Sequence, residues 1–177
     1  MQEKITSIQA LIQRLEETEH EQHKKIISSM DIPRSEFMPY AHFKDVGYAR
    51  NCIKRTKDYE LLLLCWNPGD RTPVHGHDGQ DCWVYLVDGE MTEIRYQADD
   101  DDNLTKTHVE KLTGRRLTYM RDEMGYHMIK NNSEARAMTL HIYALPIDEC
   151  EVFDEKKETF IDKEMQYDTV TGEKIAF

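Results

Sequence analysis

The chain reads as a mainly β protein, a jelly-roll β-barrel with N-terminal helices. Three observations predict this. About eight short β-rich runs follow one another between residues 48 and 143, separated by turn residues at the spacing of a sandwich or barrel. Ahead of them the apolar residues recur at three and four rather than two, the period of a helix with one buried stripe. The 177 residues, 39% of them hydrophobic, suit one substantial core. We therefore expect a single domain over 1–177. Residues 1–40 would form a helical segment, 45–154 the barrel with its site, and 155–177 a charged, weakly patterned extension packed on the barrel.

Taken in order, Ile5, Ile8, Leu11, Ile12 and Leu15 mark an amphipathic helix within Met1 to Glu17. A second helix is expected over His20 to Met30. Pro33 opens a third, short one reaching about Tyr40, because proline is preorganised for a first helical turn. The period then switches. Tyr48 to Ile53, Glu60 to Trp66, Cys82 to Val87, Met91 to Tyr96, His108 to Leu112, Arg116 to Met120, His127 to Lys130 and Ala137 to Tyr143 read as strands. Asp88-Gly89 predicts a tight hairpin, and Asp99 to Asn103 a polar loop joining another strand pair.

Charge narrows the partners. A net charge of -11 repels phosphate backbones and anionic lipid heads, so neither nucleic acid nor membrane is an expected partner. No run of about 18 apolar residues occurs, and the N-terminus reads as a helix rather than a signal, so a cytoplasmic protein is expected; a barrel of this size with helices over one side is expected to be a monomer. Cys52, Cys65, Cys82 and Cys150 fall at wide spacings without Cys-x-x-Cys, which argues against a disulfide scaffold or a zinc knuckle.

His75-Gly76-His77 carries the chemistry. In an extended strand, residues two apart share a face, so both imidazoles can converge on one metal ion, and His127 supplies a third from a later strand. Imidazole suits iron, copper, nickel or zinc. Three neutral ligands leave a divalent ion its full charge, so the site favours an anionic ligand such as a thiolate, which deprotonates on coordination. An octahedron would keep three open positions. A lone histidine is more often a surface or hydrogen-bonded core residue, and His20, His23, His42 and His108 are read that way.

The spacing Gly69, His75, His77, Cys82, Gly89 resembles the first cupin motif, with Cys82 where many cupins carry a glutamate ligand. The second motif is looser, yet His127-x3-Asn131 is intact. Adding Tyr48-Ala49-Arg50-Asn51, Leu64-Cys65-Trp66, Leu140-His141-Ile142-Tyr143 and Cys150-Glu151-Val152-Phe153-Asp154, the chain resembles the cysteine dioxygenases, the thiol dioxygenase branch of the cupins. That resemblance implies a non-haem Fe(II) enzyme adding both atoms of O2 to the sulfur of L-cysteine. It implies His75, His77 and His127 as iron ligands and Arg50 as the cation holding the substrate carboxylate, beside Tyr48 and Trp66. Tyr143 and His141 would be catalytic, with Thr139 in line. Cys82 could bond through sulfur to the Tyr143 ring as a thioether cofactor, or simply fill space as a small buried residue.

Two departures bear on the substrate: Asp81 stands for a histidine of the animal enzymes, and Ala144-Leu145-Pro146 for their Ser-Pro-Pro. The sister activity, 3-mercaptopropionate dioxygenase, is the alternative within the same chemistry. Those enzymes usually carry glutamine at the Arg50 position. A non-catalytic metal-binding cupin module is the other alternative, though it has no need of Arg50, His141 and Tyr143 together.

Overall fold

The computed structural model describes residues 3–175. Three short helices come first: α1 (Ile8–Glu16), α2 (His20–Ser28) and α3 (Arg34–Phe37), the last continued by a turn of 3-10 helix to Tyr40. α1 starts at Ile8 because Ser7 is extended and its hydroxyl accepts from the Ala10 N–H at 3.1 Å, satisfying one of the free donors of the first turn. Its buried stripe is Ile8, Leu11, Ile12 and Leu15. Met1 and Gln2, included in the expected helix, lie outside the described residues.

The strands are β1 (Ala49–Arg55), β2 (Glu60–Trp66), β3 (Cys82–Asp88), β4 (Met91–Ala98), β5 (Leu104–Leu112), β6 (Leu117–Met120), β7 (Tyr126–Lys130), β8 (Ala137–Tyr143), β9 (Glu149–Asp154), β10 (Thr159–Glu164), β11 (Thr169–Val170) and β12 (Glu173–Lys174). A seven-stranded sheet runs β12-β11-β1-β2-β8-β3-β6, with smaller sheets β5-β4-β7 and β10-β9. The long sheet is covered on both faces. Leu61, Leu63, Trp83, Tyr85, Leu140 and Ile142 join the helices in one apolar cluster. Their neighbours Leu62, Leu64, Val84 and Leu86 face the other way, onto Met91, Leu112, Ile129 and Val152 of the small sheets. Double coverage is why β2 and β8 are buried along their whole length rather than on alternate residues.

Three expectations change. Asp88-Gly89 does not close a hairpin, because β3 pairs with β6 and β8 while β4 pairs with β5 and β7. The chain instead crosses from one sheet to the other there. Gly89 permits it with φ +85°, where an added Cβ would lie 2.8 Å from the Ala137 Cβ. Second, His75 and His77 lie outside any regular strand. Pro73 interrupts the ladder, and His75 makes only isolated bridges to His127 and Val152. Third, residues 149–174 contribute four strands that the sequence pattern concealed, and β11 runs parallel to β1 through Asn51 and Cys52.

Candidate metal centre

Two backbone hydrogen bonds bring the histidines together. The His75 N–H donates to the His127 carbonyl at 3.0 Å, and the His127 N–H returns to His75 at 3.1 Å. On the other side the Gly76 N–H donates to Glu151 of β9 at 3.0 Å. The His75-Gly76-His77 segment is thus clamped between β7 and β9 despite its irregularity, and one ring nitrogen of each of His75, His77 and His127 lies within 4.8 Å of the others. Among the described residues no other such cluster of metal-ligating side chains occurs.

The tautomers are set by hydrogen bonds on the far side of the rings. His75 Nδ1 lies 3.0 Å from the Pro73 carbonyl and His127 Nδ1 lies 2.9 Å from Glu93 Oε1, so both act as donors there and leave Nε2 as the lone-pair nitrogen. The His127 Nε2 is buried with no hydrogen-bond partner, as an atom awaiting a ligand would be. Glu93 is itself fully buried, and its other oxygen accepts from Thr118 at 2.8 Å and Arg95 at 3.1 Å. A satisfied carboxylate behind a ligating histidine orients the ring and raises its basicity. Glu93→Gln is expected to weaken divalent metal binding about tenfold, measured by competition with a chromophoric chelator; unchanged affinity would remove Glu93 from the centre.

Burial holds the imidazoles neutral. The desolvated His75 titrates at about 4, and His77 and His127 lie well below the usual histidine range. In the unfolded chain they would titrate near about 6.5, so between those values the unfolded state binds more protons. Stability of the metal-free protein is therefore full above about pH 6.5 and falls as pH drops towards 4, by up to about 1.4 kcal/mol per unit for each histidine. Urea unfolding at about pH 7 and about pH 5 measures this. Equal midpoints would show that the rings are not desolvated.

A narrow cavity of about 30 Å³ opens beside the histidines. One water needs roughly 10–15 Å³, so the space suits a ligand of few atoms. Arg50 of β1 lines it, 9% exposed, with Nε and Nη2 free of any hydrogen bond, while Asp168 accepts from its backbone N–H at 2.8 Å. Tyr48, one residue ahead of β1, lines the same wall and stacks on Trp66 at 4.7 Å. From β8, residues at steps of two face inward: Thr139, His141 and Tyr143. The hydrogen-bonded run here begins at Trp66, whose indole N–H donates to Thr139 at 2.9 Å, and Thr139 meets His141 Nε2 at 2.9 Å. Tyr143 lies beside His141 with ring centres 6.2 Å apart. Cys82 and Tyr143 are direct cross-strand partners of β3 and β8. Burial raises the pKa of both.

The residues 1–156 match the family described as cysteine dioxygenase type I. The chain belongs to that family. Its relatives include cysteine dioxygenase type 1 of Rattus norvegicus and of Homo sapiens, each 26% identical over 145 residues covering 80% of this chain and 72% of theirs. The Danio rerio protein is 25% identical over 141 residues, 77% of this chain and 70% of its own. Among solved structures, TT1209 from Thermus thermophilus superposes with a TM-score of 0.52 at 20% identity, covering 62% of this chain and 93% of that one, a likeness of fold. A dioxygenase family on a jelly-roll barrel with a three-histidine centre is thus what the chain presents. Among the described residues no helix is long and apolar enough to cross a membrane.

The structure adds residues that the sequence reading missed. Glu93 is one. Glu60 is another, fully buried opposite Tyr143 at the start of β2, its Oε1 accepting from the Tyr167 hydroxyl and from Arg55 at 3.5 Å while its Oε2 is buried without a hydrogen-bond partner. Burial raises its pKa, and Tyr167 offsets part of the shift. Arg55 also reaches Asp148 at 2.8 Å, and the Ala144 N–H donates to the Asp81 carbonyl at 3.0 Å. Together these fasten the Ala144-Leu145-Pro146 loop that closes the cavity at Ile147. An ionisable residue at the head of an otherwise apolar run, Glu-Leu-Leu-Leu-Leu, was the available signal.

Proposed function

We propose that the chain is a non-haem Fe(II) thiol dioxygenase that converts L-cysteine and O2 to cysteine sulfinic acid. The observation that carries this reading is Arg50, a buried guanidinium with two unpartnered nitrogens in the same small cavity as three neutral, converging imidazoles. An unpaired buried cation is costly, and a carboxylate fits its planar fork. The donor set fits a ferrous ion held by His75, His77 and His127. When bound, that ion supplies a Lewis-acidic centre for a thiolate and the redox partner for dioxygen.

The chain's own residues do the rest. Arg50 holds the substrate carboxylate, which fixes the thiol end toward the histidines and converts an encounter into an oriented one. Tyr48 forms the wall that limits substrate size, and Trp66, which does not itself line the cavity, stacks on it. Tyr143 donates from its hydroxyl, whose raised pKa keeps the proton on oxygen at neutral pH. Trp66 and Thr139 fix the His141 ring beside it.

Anaerobic reconstitution with Fe(II), followed by oxygen uptake and sulfinate detection, tests the reading. L-Cysteine is expected to give sulfinate in step with oxygen; preference for 3-mercaptopropionate would keep the chemistry and move the substrate. Bound iron with no uptake on either thiol would overturn the proposal in favour of a binding module. The Cys82–Tyr143 thioether is part of the same proposal, supported by their cross-strand pairing. After turnover, the intact mass is expected to fall by two hydrogens, with the Cys82 and Tyr143 peptides linked. An unchanged mass after many turnovers would leave Cys82 a packing residue.

A further inference from the structure

The cavity has a second cation at its mouth. Lys163 of β10 is the direct partner of Cys150 on β9, and opposed residues project to the same face. Cys150 is buried and lines the cavity, so that face is the inner one. Ile161 and Met165, at steps of two on either side of Lys163, both pack against the interior cluster. Period-two alternation therefore starts the Lys163 side chain from the inner face, and its exposure puts it at the mouth of the cavity rather than within it. Lys163 lines the cavity together with Arg50 and His77, and its ammonium forms no ion pair with the described residues.

Its surroundings make the charge count. The adjoining cleft shares Gly76 and Cys150 with the cavity and is lined by Asp78, Asp99, Asp102, Glu149, Glu151 and Asp162. A net charge of -11 disfavours the approach of an anion, and in the second adjoining cleft Lys44 and Arg71 are paired with Asp168 and Glu155, whereas Lys163 is paired with none of the described residues. Arg50 satisfies one carboxylate wherever it is carried. Lys163 adds attraction only for a ligand with net negative charge, because the ammonium of a zwitterion cancels it.

We propose that Lys163 is a specificity-determining residue that adds affinity for anionic thiol carboxylates and little for zwitterionic amino thiols, widening the range of thiols bound beside L-cysteine; this rests on the thiol reading above. The alternative physical reason for a lysine on the inner face of an outer strand is to block strand-to-strand association. Isothermal titration of the Fe(II)-loaded protein under nitrogen, without turnover, separates the two. In Lys163→Met the dissociation constant of 3-mercaptopropionate is expected to rise about fivefold, the upper range for an exposed charge pair, while that of L-cysteine changes less than about twofold. Lys163→Arg should restore the affinity for 3-mercaptopropionate, and added salt should erode it in the unmutated protein. Equal changes for both thiols, or none, would overturn the proposal, the latter with self-association of Lys163→Met on gel filtration assigning the lysine to edge protection. Failure of the thiol reading is distinguishable, since neither thiol would then bind the unmutated protein.

Discussion

His127→Ala is expected to abolish stable iron binding and to lower thiol-dependent oxygen uptake by at least about a thousandfold. Removing one of three neutral nitrogens leaves two donors on an irregular segment, and the fully buried Glu93 loses the ring N–H it accepts from at 2.9 Å. A buried carboxylate stripped of a partner costs about 1–3 kcal/mol. The variant should therefore also unfold at lower urea, even without metal. Iron content by absorption spectrometry and activity with added Fe(II) measure the two effects. Iron binding at wild-type stoichiometry would remove His127 from the centre.

Arg50→Gln carries the second large effect. Glutamine keeps hydrogen-bonding capacity but loses the charge and the fork, so the Michaelis constant for L-cysteine is expected to rise about a hundredfold, equivalent to about 2.7 kcal/mol. The turnover number should fall less, because the carboxylate is bound alike in the ground and transition states. The fold should survive, since Asp168 accepts from the Arg50 backbone rather than from its side chain. Steady-state kinetics with cysteine and cysteamine in parallel check the assignment: loss of discrimination between them is expected. An unchanged Michaelis constant would exclude Arg50 from the site.

Much of this site was legible in the chain because its residues lie at fixed steps on regular strands. Thr139, His141 and Tyr143 needed only period two, and β2 and β8 were bounded correctly because their apolar runs end at polar or turn residues. The histidine triad was readable from spacing, although the reason offered, a shared strand face, is not how the fold does it. Pro73 breaks the strand, and the convergence comes from the backbone pairing of His75 with His127. What stayed hidden depends on which strands become neighbours. Glu93 reaches His127 because β4 lies beside β7 with Arg95 opposite His127, a pairing that no local pattern encodes. Asp88-Gly89 carried a hairpin signature, yet strand choice was decided by the competing partners β6 and β8. Lys163 looked like one more charge in a charged tail until its register with Cys150 gave it a face.

The double covering of the long sheet has a consequence for how mutations should distribute. Each central strand writes two messages in alternate letters: Met138, Leu140 and Ile142 address the helices, while Thr139, His141 and Tyr143 address the cavity. Sliding β8 by one residue would exchange them, pressing an imidazole into the helix-side core and aiming leucine at the three histidines. The apolar letters therefore act as a ruler for the polar ones, and the side of the sheet remote from the chemistry carries its precision. Damage there should appear as a cliff, with active molecules becoming fewer while each that remains folded works at its full rate.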